Sequence, residues 1–165
     1  MTQVKVINLS KNQLPQYETA DSAGMDLRCD FSRVTYKNPI KCYGYAQFDY
    51  EKQYIDLAPG ARAMLPTGLK FEIPQGYQIA ARPRSGLSFK KGITLCNAVG
   101  TIDSDYRGEV MIPIINLSDE HVFIESGERL CQIMLEKVNQ IEWVEVSELN
   151  DSERGAGGFG STGKK

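Results

Sequence analysis

Apolar and polar positions alternate with a period of two along most of this chain, the mark of strands with one buried face. Residues 4–7 read as a strand, and residues 61–65 and 68–73 read as two more, split by Pro66 and Thr67. Residues 77–81 follow the turn Pro74-Gln75-Gly76. Residues 110–115, 121–124 and 130–135 continue the series, and residues 143–146 close it. Short strands broken every ~8–12 residues by Gly, Pro and Asp predict an all-β sandwich or barrel. Pro113 inside one of them predicts an edge strand or a bulge, because proline has no N–H for the ladder. One short helix is predicted over residues 86–91, with Ser85 as its N-cap and Gly92 beyond its end.

Two stretches break this rhythm. Residues 31–57 hold Phe31, Tyr36, Tyr43, Tyr45, Phe48, Tyr50 and Tyr54, nearly half of the aromatics. They read either as a long hairpin packed on the barrel or as a partner-binding arm, since tyrosine is favoured at interfaces. The second stretch is the tail from Arg154 to Lys165, too rich in glycine to hold a fixed shape alone. The chain thus divides into a β domain over residues 1–150 and a C-terminal lid over 151–165. Residues 155–160 match GxGxxG and residues 158–164 match GxxxxGK. Both motifs need a strand before the loop and a helix after it to hold phosphate. Five residues follow Gly160, and Lys165 stands where a P-loop needs Ser or Thr, so neither fold is expected. Flexible glycines with an arginine, hydroxyls and a phenylalanine suit a lid over phosphates and a flat ring.

Composition narrows the chemistry. The 165 residues suit one domain with one core. At 41% hydrophobic and 24% charged, the chain is neither disordered nor fibrous. A net charge of -2 leaves no basic field for duplex nucleic acid. No apolar run approaches ~18 residues, so no membrane span is predicted, and the first ten residues lack a signal-peptide pattern. Cys29, Cys42, Cys96 and Cys131 are widely spaced, which reads as reduced thiols in a cytoplasmic protein, or in a host cytoplasm for a viral one. His121 is the sole histidine, so any Ser-His or Cys-His chemistry would have to run through it. Catalysis is left to carboxylates, arginines, backbone amides or an added metal.

Several short constellations supply such groups. Arg82-Pro83-Arg84-Ser85-Gly86 lies where a strand meets the helix, so amides of Ser85 and Gly86 with Arg84 make an anion site. The plainer reading is a capped helix with surface arginines. Residues 100–108 form a polar turn between apolar strands. If extended, it places Asp103 and Asp105 on one face, one as general base; alternatively both cap their own turn. Asn97 carries both a donor and an acceptor for a base edge. Asp26 lies between apolar neighbours, and such a carboxylate pairs with arginine or serves a metal shell. Residues 127–132 offer Arg129 and Gln132.

In series these stretches resemble the five motifs of the trimeric deoxyuridine triphosphatases, the dUTPases. The stretches are AGMDL at 23–27, RPRSG at 82–86, NAVGTIDSDYRGEV at 97–110, GERLCQ at 127–132 and RGAGGFGSTG at 154–163. The resemblance implies a distorted jelly-roll or β-barrel subunit with one short helix, and a homotrimer whose active sites are shared between subunits. It implies Mg²⁺-dependent hydrolysis of dUTP to dUMP and pyrophosphate. That reaction limits uracil in DNA and supplies dUMP for thymidylate synthesis.

By motif position, Asp103 would activate the water that attacks the α-phosphorus. Arg84, Ser85, Gly86 and Gln132 would bind phosphates, and Arg154, Ser161 and Thr162 would arrive with the tail. Asn97 and the backbone of Gly100, Thr101, Ile102 and Asp103 would read uracil. Tyr106 would pack on the deoxyribose and exclude a 2′-hydroxyl, Met111 would line the pocket, and Phe159 with Gly160 would cover the base. Asp26 would meet Mg²⁺ only through water. Cys29-Asp30 and Thr101 depart from the family's usual residues, and residues 31–57 make a longer bridge than the pattern has. Two alternatives accompany this reading: a deoxycytidine triphosphate deaminase of the same superfamily, and a nucleotide-dependent regulatory protein that binds a partner through residues 31–57.

Overall fold

The computed structural model describes residues 2–158. Its strands in chain order are β1 (Lys5–Asn8), β2 (Met25–Arg28), β3 (Lys41–Tyr43), β4 (Ala46–Asp49), β5 (Tyr54–Leu57), β6 (Arg62–Pro66) and β7 (Leu69–Glu72). After β8 (Tyr77–Pro83) comes the helix α1 (Ser85–Lys91). Then follow β9 (Ile93–Leu95), β10 (Gly100–Ile102), β11 (Met111–Asn116), β12 (Val122–Glu125) and β13 (Arg129–Lys137). The fold is all-β, as its alternation predicts. Every pairing is antiparallel, in sheets ordered β10-β8-β13-β2, β3-β6-β11-β9, β12-β5-β4 and β1-β7. Leu27, Leu57, Leu65, Ile112, Ile114 and Ile124 fill the core between the sheets. No helix among the described residues is long and apolar enough to cross a membrane.

The break between β6 and β7 falls at Thr67-Gly68, one residue later than the predicted split at Pro66 and Thr67, because Pro66 still pairs with Met111. Buried Thr67 donates its hydroxyl to the Val110 carbonyl at 2.6 Å. Gly68 has φ +71°, and a Cβ there would meet Ser10 at 2.6 Å, so both conformation and space demand glycine.

Four local expectations need correction. Residues 143–146 form no strand; Trp143 is 86% exposed, because alternation alone provides no ladder neighbour within the chain. Ser85 is the first helical residue and Arg84 the N-cap, with no side-chain cap bond, since the Arg84 guanidinium is turned to Asp26 instead. Gly92 ends the helix with φ 65°, as expected. Pro113 lies in β11, which is flanked by β6 and β9. Its carbonyl accepts from Cys96 N–H at 2.8 Å, just past the last β9 pair, so its missing donor lies at the end of that ladder and interrupts no further pair. Residues 103–106 are a turn rather than an extended run, closed by Tyr106 N–H to the Asp103 carbonyl at 3.2 Å.

Residues 31–57 are largely part of the body. β4 and β5 form a hairpin that β12 extends, and β3 joins the edge of the β6 sheet. Phe31 is fully buried and meets Phe48 edge-on at 5.3 Å. Tyr36, Tyr43 and Tyr45 remain exposed. Phe31→Ala is therefore expected to cost about 3–5 kcal/mol in urea unfolding. An insert that were only a surface arm would lose less than about 1 kcal/mol.

The four cysteines are free. Burial pushes the Cys29 and Cys131 thiols up to about 12, whereas Cys96 is exposed.

Candidate active site

The site is organised by the β10-β8-β13-β2 sheet. Register sets Gln132 beside Asp26 on one flank and Arg82 on the other, and sets Cys131 beside Leu27 and Pro83. Successive side chains leave opposite faces of a strand. Asp26 and Gln132 therefore share one face, while Leu27, Cys131 and Ala81 share the other.

On the first face lies a hollow of about 820 Å³ lined by Asp26, Arg84, Ser85, Gly86, Arg129 and Gln132, among others. It gathers the chain's predicted phosphate-binding residues except those of the tail. Arg84 Nε meets Asp26 Oδ1 at 3.1 Å, and Arg129 Nη1 meets Oδ2 at 3.2 Å. Arg84 Nη1 also donates to the Arg129 carbonyl at 2.8 Å. Asp26 is thus paired with arginine, as its apolar neighbours predict, but with two of them. The second depends on a bulge. By simple alternation Arg129 would share the face of Cys131. A register shift between these residues instead sets Arg129 opposite Arg28, on the side of Asp26. Arg129 Nη1 additionally reaches Glu18 at 3.2 Å, a contact no motif announces.

The helix adds amides to this hollow. Ser88 N–H makes the first in-helix bond, to Arg84 O at 3.0 Å, so the earlier N–H groups have no helical acceptor. The first turn holds no acidic residue to compete with an anion.

On the opposite face is a hollow of about 340 Å³ with Leu27, Ala81 and Cys131 among its lining. Asn97, Gly100, Thr101, Ile102, Asp103, Tyr106 and Met111 line it too, so every described residue predicted to hold base or sugar meets here. Pairing of β10 with β8 sets Gly100 opposite Ala81. The Asn97 amide lies against Gly100, where a Cβ would come within 3.3 Å of Nδ2. Asp103 is exposed at the start of the turn. Asp105 does not line this hollow; with Asp103 and Ser104 it borders a separate one beside Gln75 and Tyr77. Arg107 Nη1 clamps the turn by donating to the carbonyls of Ser104 at 2.6 Å and Tyr106 at 3.1 Å.

Arg154 reaches neither hollow; its Nε donates to the Gly157 carbonyl at 2.7 Å. Phe159, Gly160, Ser161 and Thr162 lie outside the described residues.

The chain matches the family model for dUTPase over residues 36–163. It belongs to the dUTPase family. The deoxyuridine 5'-triphosphate nucleotidohydrolase of Finegoldia magna is 49% identical to it, over 97% of this chain and 98% of that protein. That of Fusobacterium nucleatum is 48% identical over 98% and 97%. The dUTPase of Staphylococcus bacteriophage 80alpha, solved with dUPNHPP, superposes with a TM-score of 0.77 at 25% identity, covering 99% of each chain. In this dUTPase the motif residues are accordingly divided between two faces of one sheet, a division the motifs do not reveal. The contacts of Glu18 and the β13 bulge carry no sequence signal. Gly108, which packs against Tyr106, lies inside a motif that assigns it no role.

Proposed function

We propose that this dUTPase hydrolyses dUTP to dUMP and pyrophosphate at sites completed between chains. The observation that supports this is the sorting just described. A polar hollow with two arginines and helix amides suits phosphates, and a half-apolar hollow with Asn97 suits a base and sugar. They sit on opposite faces of one sheet, so one nucleotide filling both kinds of subsite needs a second copy. Head-to-tail contact of unlike faces closes into a ring where the rotation between copies allows it, and a three-membered ring is the homotrimer the motifs imply. Exposed Ile141, Trp143, Val146 and Leu149, beyond the last strand, also favour assembly.

Asp103 is proposed as the general base. It holds a water and takes its proton as the water oxygen bonds to the α-phosphorus. The bond from that phosphorus to the bridging oxygen breaks, and pyrophosphate leaves with it. Arg84, Ser85, Gly86 and Gln132 hold and neutralise phosphate oxygens, the main demand of phosphoryl transfer. Arg154, Ser161 and Thr162 join from the lid at 151–165, and Phe159 and Gly160 cover uracil. Asn97 and the backbone at 100–103 read the base, Tyr106 and Met111 bound the sugar.

The residues fit magnesium in a limited role. No group of three or more His, Cys, Asp and Glu side chains among the described residues makes a metal cage. Asp26 is one hard oxygen donor in the phosphate hollow, which suits an ion held mainly by phosphates and keeping its waters. When bound, Mg²⁺ supplies charge neutralisation on phosphate oxygens. Free thiols suit a cytoplasmic setting.

The test is a product assay with dUTP, dCTP, TTP and UTP, with and without magnesium. Pyrophosphate from dUTP in strong preference to the others is expected. Ammonia from dCTP would replace this reading with deamination. A partner-binding role for the insert is a second, compatible reading, favoured by the exposure of Tyr36 at 82% and Tyr43 at 69%.

A further inference from the structure

Tyr106 is held in place by unusual means. Its hydroxyl donates to the Glu109 carbonyl at 2.9 Å, folding the ring back over the two residues that follow it. Beneath the ring is Gly108. A Cβ built there would lie 2.3 Å from Tyr106 Oη, 2.5 Å from Cζ and 2.9 Å from Cε2. Gly108 is not among the glycines with positive φ, so no left-handed turn calls for glycine there. The demand the structure shows is for space, and all three nearest atoms in its way belong to one side chain. Arg107 fixes the same turn from the other side through Ser104 and Tyr106 carbonyls.

We infer that Gly108 is a positioning residue that sets selectivity for deoxyribose over ribose by seating the Tyr106 ring. The inference rests on the reading that the nucleoside hollow receives the sugar of dUTP. A wall that rejects one hydroxyl must be placed to within a fraction of an atom. A methyl group at 108 needs the ring to retreat by about 1 Å to reach ordinary contact, and a shift of that size matters in a reacting site. It also pulls Tyr106 Oη from the Glu109 carbonyl, which loosens the wall. Uracil recognition lies elsewhere, on Asn97 and the 100–103 backbone, so rejection of TTP is independent of the ring.

The experiment measures kcat/KM for dUTP, UTP and TTP in wild type, Gly108→Ala, Tyr106→Ala and the double variant. In Gly108→Ala the dUTP-to-UTP ratio is expected to fall on the order of tenfold while the dUTP-to-TTP ratio holds. In the Tyr106→Ala background the added methyl has no ring to displace and is expected to leave the dUTP-to-UTP ratio unchanged. An unaltered ratio in Gly108→Ala overturns the inference. So does equal loss of both ratios, or the same tenfold loss without the Tyr106 ring. Wild-type protein that leaves dUTP intact defeats the function reading itself, and is told apart because it fails before any variant is compared.

Discussion

Asp103→Asn is expected to lower kcat for dUTP hydrolysis by about a thousandfold, within the range for removal of a general base, while dUTP affinity changes little. Asparagine has nearly the shape of aspartate but accepts no proton, so the loss should appear in turnover rather than in binding. Asp103 is well placed for such a split. It stands exposed where β10 ends, at the hollow it lines with Asn97 and Tyr106. The turn it opens is closed by its own carbonyl and braced by Arg107, so the substitution leaves both supports intact. Steady-state turnover and calorimetric titration with a non-hydrolysable analogue separate the two quantities. A variant with wild-type kcat would remove Asp103 from the mechanism and turn attention to Asp105.

The second large effect concerns two inactive proteins that restore each other. Arg84→Ala removes a cation from the hollow it shares with Gln132, leaves Asp26 with Arg129 alone and frees the Arg129 carbonyl. Turnover is expected to fall about a hundredfold, the scale of losing one charged stabilising group. When these chains are refolded together in equal amounts with Asp103→Asn chains, activity is expected to return in about a quarter of the sites, from random mixing in a ring. The reason is geometric. Asp103 and Arg84 serve hollows on opposite faces of the same sheet, so an intact pair arises where one chain of each kind meets. Mixtures as inactive as their components would mean that both groups act from a single chain.

Much of the barrel could be read directly. β6, β7, β8, β11, β12 and β13 each show enough alternation to be recognised within one or two residues of their ends. β3, β9 and β10 are three residues long, too short to display a period, and form because longer strands offer them an edge. The opposite case is residues 143–146, where alternation is clear and no strand forms. Both errors have one source: periodicity describes how a strand sits on a surface, whereas a strand exists only if another backbone accepts its hydrogen bonds.

The chemistry divides in the same way. The kinds of groups, their order and their motif spacing are properties of the sequence, and they suffice to identify the family and to nominate Asp26, Arg84, Asn97, Asp103, Tyr106 and Gln132 as candidates. Which of these groups meet was decided by tertiary structure. Pairing of β13 with β2 joins residues more than a hundred positions apart, and its pairing with β8 joins a third distant segment to them. It fixes that Asp26 and Gln132 face away from the hollow that holds Asn97 and Tyr106. A one-residue bulge carries Arg129 across to Asp26, and missing side-chain volume at Gly108 leaves room for a ring. Alternation along one strand is local and therefore visible in the sequence. The faces that adjoin, and the atoms that crowd, depend on contacts between distant segments, which exist only once the chain has folded.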